Sequence, residues 1–159
     1  LTRRTICLLI AALTLVATLI DLAHMLGRSG ATLLLAELVK FGIGTASIML
    51  AWQLRQRRSV GMFGGTVMLL AGLTGIAAVA LHDAKIGSAV TVLALSAVAI
   101  IGFWGIGLPH VSAERWARLA AGAMGLSAIA ALIFAPLGLI CAMFGLLWWL
   151  MLARALRPD

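Results

Sequence analysis

Charge is scarce in this chain. Asp, Glu, Lys and Arg make up 11% of its 159 residues, against about 25% in a soluble domain. Acids are the scarcest: Asp21, Glu37, Asp83, Glu114 and Asp159 are all of them. No charged residue or histidine occurs from Ile86 to Leu108, or from Leu119 to Ala153. A water-soluble domain is thereby excluded. Cysteine is sparse too. Cys7 and Cys141 lie far apart in apolar segments, with no CxxC or metal-ligand spacing. Neither a disulfide nor a zinc site is expected, and each cysteine reads as a small hydrophobe. HExxH, GxSxG, Ser-Lys and paired-aspartate signatures are missing. Asp21 and His24 offer an acid and a base with no nucleophile placed beside them, so an enzyme is not the favoured reading.

What the chain has is apolar length. It is 64% hydrophobic with a mean hydropathy of +1.16, where soluble domains run at about 45–50% apolar. This is the composition of an integral membrane protein forming one transmembrane domain. A spanning helix needs about 20 mostly apolar residues. Six such stretches are expected, at about 5–26, 31–54, 60–81, 86–108, 115–134 and 137–153. The first is longer than the 7–15-residue core of a signal peptide and lacks a following small-x-small cleavage site, so no signal peptide is expected. The last two are divided only by Pro136 and its neighbour Gly138. Undivided, residues 117–152 would make a helix of about 54 Å, far beyond a hydrocarbon core of about 30 Å. Proline removes a backbone donor and disfavours helix in the residue before it, so a turn there is expected.

Lys and Arg give the orientation. Arg3, Arg4, Arg55, Arg57, Arg58, Arg115, Arg118, Arg154 and Arg157 fall at one end of the six stretches; Arg28 and Lys85 fall at the other, and Lys40 lies within a helix. The excess puts both termini in the cytoplasm and requires an even number of spans. The expectation is an all-α, six-helix transmembrane bundle built as three hairpins, in a bacterial-type inner membrane. The five tryptophans fall towards the Arg-rich end, as an interfacial belt would. A loose common ending (Trp52 before Arg55, Trp104 before Pro109, Trp148-Trp149 before Arg154) is equally explained by anchoring or by a repeated hairpin. The net charge of +7 does not mark a nucleic-acid binder, because the basic residues punctuate apolar spans instead of forming a stripe. Membrane lipid headgroups are the expected partner; a second copy or a membrane-complex subunit is also compatible. Small-xxx-small pairs (Gly61 with Gly65, Ala71 with Gly75, Ala121 with Gly125, Gly138 with Ala142) read as packing seams.

Against this background the first hairpin is anomalous. Asp21, His24, Glu37 and Lys40 lie within its two helices, and Arg28 in its turn. An ionisable group at the centre of a span costs about 2.5–3.5 kcal/mol on insertion scales, so it is expected to be paired, hydrated or useful. Asp21 and Glu37 stand eight residues either side of Ser29, hence at similar depth in an antiparallel pair. Lys40 falls about 13 Å below the start of its helix. Thr14, Thr18, Asp21 and His24 make one stripe, and Glu37, Lys40, Gly44 and Ser47 another. The two stripes are expected to face a shared interior, and chemistry to be confined to the first three helices. Three functions follow. The first is a site facing the extracytoplasmic side that binds or transports a cation, proton or small polar ligand through Asp21, His24, Glu37 and Lys40. Asp21, His24 and Glu37 would be its ligands if the cation is a divalent metal. His82, Asp83 and Arg28 stand as secondary candidates at the same end. The alternative is an accessory or assembly subunit whose ion pairs lock the hairpin. The third is a b-type haem carrier with His24 and His82 as axial ligands.

Overall fold

The computed structural model describes residues 1–26, 31–82, 84–109 and 114–156, excepting the side chains of His24, Met25, Ala31 and Ala84. The described residues form six helices: α1 (Arg3–Met25), α2 (Ala31–Leu54), α3 (Arg58–Leu81), α4 (Ala84–Ile106), α5 (Arg115–Ala131) and α6 (Leu137–Ala155). All but α5 are long and apolar enough to cross a membrane. No proline lies inside any of them, which leaves every helix its full ladder.

Helix ends follow local chemistry. At the close of α4, Gly107 N–H donates to Trp104 O at 3.0 Å and Leu108 N–H to Gly105 O at 3.2 Å. These i→i+3 bonds tighten the last turn and stop the helix short of the expected residue 108. The same happens after Ala131: Leu132 N–H reaches Ile129 O at 3.2 Å and Ile133 N–H reaches Ala130 O at 3.0 Å. Thus α5 ends three residues before the expected position, and Pro136 caps the start of α6. The α2–α3 turn bends through Arg55 and Arg57, both in the left-handed region at φ 59° and 44°. Such a residue costs about 1–2 kcal/mol. The turn is tied by Gln56 N–H donating to Leu54 O at 2.7 Å and Trp104 Nε1–H to Gln56 O at 3.5 Å.

Each helix packs on its neighbours in sequence, and α1 also packs on α6, closing a ring. The outside of the ring is apolar, with Leu8, Leu19, Leu35, Leu38, Phe63 and Leu126 exposed. An exterior with so many exposed apolar side chains is compatible with a multi-pass membrane protein. The inside is small. Large side chains are excluded where α2 meets α3: a Cβ on Gly44 would stand 2.5 Å from Leu69 N, and one on Gly72 2.6 Å from Phe41 N. Gly102 meets Gly125 N of α5 at 2.8 Å in the same sense. Close backbone approach through small residues is how helices associate in lipid.

The large core side chains collect at one end. Ile6, Leu50, Trp104, Leu108, Trp148 and Leu152 are each under 2% exposed and come from α1, α2, α4, the residues just after α4, and α6. Trp104 and Trp148 meet edge to face at 6.4 Å and 77°; Trp148 and Trp149 lie 4.2 Å apart. An interfacial position is therefore open to only two of the five tryptophans. Trp52 and Trp116 are exposed, whereas Trp104, Trp148 and Trp149 are buried. Gly61 and Gly105 make room for the rings of Trp104 and Trp148. Trp104 and Trp148, each faced by a glycine, have room in the interior. Trp52, exposed beneath the Arg58 guanidinium at 3.5 Å, is thus not equivalent to Trp104 or Trp148, which removes the basis for a repeated hairpin.

Candidate functional site

An ion pair local to α2 stands at the start of the site. Lys40 Nζ donates to Glu37 Oε1 at 2.7 Å, three residues apart on one helix face. Glu37 is 8% exposed. Its second oxygen, Oε2, is buried without a hydrogen-bond partner among the described residues. The carboxylate occupies a notch on α3 made by the missing side chain of Gly75, since a Cβ there would collide with Oε2. The Glu37 carboxylate therefore seats against α3, while Lys40 borders spaces that residues of α1 also border. Further along the stripe, Gly44 abuts Leu69 and Gly65, and Ser47 is fully buried, its Oγ without a hydrogen-bond partner among the described residues.

The α1 stripe behaves as the spacing implies. Thr14, Thr18 and Asp21 all border a central chamber of about 150 Å³. The two threonine hydroxyls donate back to Ile10 O and Thr14 O at 2.8 Å each, which leaves the chamber wall nearly apolar. Asp21 is exposed, four residues before the end of α1. Asp21 and Lys40 also border two more spaces. One is an outer cavity of about 640 Å³, which adds Glu37 and His82. The other is a side cavity of about 310 Å³, which adds Thr91 and Ala135. The two charged residues stand where all three spaces meet.

Of the expected site residues, the structure brings Asp21, Glu37, Lys40 and His82 around one cavity. His82 is an exposed cap of α3 with φ 54°. The backbone of His24 lies in the last turn of α1, and its side chain lies outside the described residues, as do Arg28 and Asp83. Among the described residues no group of three or more His, Cys, Asp or Glu is arranged to hold a metal ion. Glu37 suits a metal poorly as it stands, with one oxygen on Lys40 and the other in the Gly75 notch. A haem between His24 and His82 would have to use a histidine at a solvated helix end.

The last three helices, which carry no charged residue from Ile86 to Leu108 or from Leu119 to Ala153, also contribute walls to the central chamber. All six helices wall the central chamber: Ile101 from α4, Met124 from α5, and Gly138, Cys141 and Trp149 from α6 join Met68 of α3 and the α1–α2 residues. These residues carry no charge, so no polarity signal marked them. Gly138 carried the one usable clue. Nothing lies within 4 Å of the position its Cβ would take, so it opens onto the chamber and is not a packing seam. Interiors are normally packed to crystal density. At about 24 cal/mol per Å³, as in large-to-small core mutants, the chamber of about 150 Å³ forgoes roughly 3–4 kcal/mol of packing. No family model, curated protein or solved structure matches this chain.

Proposed function

We propose that this is a six-span inner-membrane protein, with both termini in the cytoplasm, that binds a cation, proton or small polar ligand from the extracytoplasmic side. The single observation that carries this reading is the convergence of Asp21, Glu37, Lys40 and His82 on a cavity of about 640 Å³ at the Arg-poor end. That volume falls within the usual range of small-molecule sites. The Arg-rich end is filled by Trp104, Trp148 and the leucines around them, which favours a blind pocket over an open channel. A sixth span is supported by the apolar continuation of α5. Its 17 residues rise about 25 Å, and exposed Leu132, Ile133 and Phe134 extend the apolar surface to bilayer depth.

The test is binding of methylammonium, Na⁺ and Mg²⁺, together with proton uptake, by the full chain in lipid nanodiscs. Asp21→Asn and Glu37→Gln are expected to abolish binding while expression stays near wild type. Unchanged binding in both variants would refute the reading. A second reading, the structural lock of an accessory subunit, is favoured by the 2.7 Å Lys40–Glu37 pair seated against Gly75. It expects Glu37→Gln to destabilise the fold strongly, by about 3–5 kcal/mol for a broken buried pair, with no ligand lost. Haem would announce itself as a Soret band in purified protein.

A further inference from the structure

At the Arg-rich end a recess of about 550 Å³ opens between α4 and α5. It shares no wall residue with the central chamber or with the outer and side cavities. Its walls include Ile106, the last residue of α4, and Arg115, Arg118, Leu119, Gly122 and Leu126 of α5. On α5, Arg115, Arg118 or Leu119, Gly122 and Leu126 recur at three- and four-residue steps, which sets them on one face. Both arginines and both leucines are exposed, and so is Trp116 beside Arg115. The floor is Gly122. A Cβ there would meet Ile106 Cδ1 at 3.5 Å, an ordinary contact, so the furrow is left by a missing side chain and not by close backbone approach. Glu114, one residue before the first arginine, is not among the walls. Charge thus stands at one end of the furrow, and the rest is apolar. From Arg115 to Leu126 (126 − 115 = 11 residues) the helix rises about 17 Å. Half of a hydrocarbon core of about 30 Å is about 15 Å.

We propose that this furrow binds one anionic phospholipid of the cytoplasmic leaflet, its phosphate held by the Arg115 and Arg118 guanidinium groups and an acyl chain laid along Leu119, Gly122 and Leu126. The inference rests on the six-span reading above, which takes α5 across the membrane with its first residue at the cytoplasmic face. Charge complementarity chooses the occupant. Two guanidinium groups on one helix face suit a phosphate, and basic residues near a membrane surface attract anionic headgroups. An apolar furrow one leaflet long suits an acyl chain and gives a water-soluble phosphate nothing. Trp116 marks the level, since tryptophan rings collect at the headgroup boundary. The general attraction of a basic membrane face is thereby narrowed to one built position.

The experiment is native mass spectrometry of the full chain released from nanodiscs that hold equal amounts of phosphatidylglycerol and phosphatidylcholine. Retained phosphatidylglycerol is expected, enriched over phosphatidylcholine by at least about tenfold. Arg115→Gln/Arg118→Gln lowers the enrichment to about twofold or less. Arg4→Gln/Arg154→Gln removes the same charge from the same end, at residues outside the furrow, and leaves the enrichment within about twofold of wild type. Gly122→Leu keeps both arginines but fills the furrow, and lowers retention at least about fivefold. The thermal transition of each variant in the nanodisc shows that it is folded. Enrichment that survives Arg115→Gln/Arg118→Gln, or that both double variants lose alike, overturns the proposal. So does retention unchanged by Gly122→Leu, or a dimer mass that Gly122→Leu abolishes, which would make the furrow a seam between two copies. Topology is read separately, with an impermeant maleimide on Glu114→Cys, Cys7 and Cys141 being buried. Labelling from the cytoplasmic face is expected. Labelling from the other face overturns the six-span reading and the leaflet named here, and the lipid arms alone then decide the furrow.

Discussion

The contact between Glu37 and Gly75 makes a prediction whose sign reverses with the genetic background. In the wild-type chain, Gly75→Ala places a methyl group where the Glu37 carboxylate lies. Overpacking of this kind costs about 1–3 kcal/mol. Alanine inside a helix is favoured over glycine by about 1 kcal/mol, so the net loss is about 0–2 kcal/mol, with the carboxylate driven out of its notch and away from Lys40. In a Glu37→Ala background the notch is vacant, and the same substitution should stabilise by up to about 1 kcal/mol. Loss of the Lys40 partner occurs in both Glu37→Ala arms and cancels. The coupling energy is thus about 1–3 kcal/mol, in the range for contacting residues. Equilibrium unfolding of the four proteins in mixed micelles measures it. Additivity within about 0.5 kcal/mol would refute the placement of Glu37 against α3.

Two further outcomes test the packing. Gly44→Ala should destabilise by at least about 2 kcal/mol, because a Cβ there stands 2.5 Å from the backbone of Leu69. Gly122→Ala, whose nearest neighbour is Ile106 Cδ1 at 3.5 Å, should be neutral or mildly stabilising in the same assay, and equal losses would disprove the α2–α3 seam. Ser47→Ala should raise stability by about 1 kcal/mol by deleting a fully buried hydroxyl that has no partner among the described residues. A loss of more than about 1 kcal/mol would mean that the hydroxyl is satisfied.

Helix positions were legible because apolar length and punctuation are local properties. The expected second span, about 31–54, coincides with α2 (Ala31–Leu54), bracketed by a glycine-rich turn and an arginine cluster. The turn at Pro136 was legible for the same reason. The fate of the tryptophans was not. Trp104 and Trp148 are buried because Gly61 and Gly105 lie opposite them, and Gly61 faces Trp104 from a different helix. The chamber was hidden further still. Its α4–α6 walls are alanine, isoleucine, methionine and cysteine, residues whose presence in a span is unremarkable, and an unfilled axis depends on how six helices close into a ring.

The orientation of Glu37 defines what spacing alone decides. Counting outward from Ser29, Asp21 and Glu37 are eight residues away on either side. Counting outward from Gln56, Glu37 and Gly75 are each nineteen away (56 − 37 and 75 − 56). Both antiparallel counts are satisfied, so depth matching offers Glu37 a partner on α1 and another on α3 and does not choose. The choice is made by volume. The glycines at 65, 72 and 75 draw α3 against α2 until backbone meets backbone, and the missing side chain of Gly75 leaves the space that the Glu37 carboxylate takes. Lys40, one turn deeper, neutralises it at 2.7 Å while bordering the same three cavities as Asp21. One ammonium thus pairs with the carboxylate that volume has seated against α3 and stands, with Asp21 of α1, at the edge of the nearly apolar chamber.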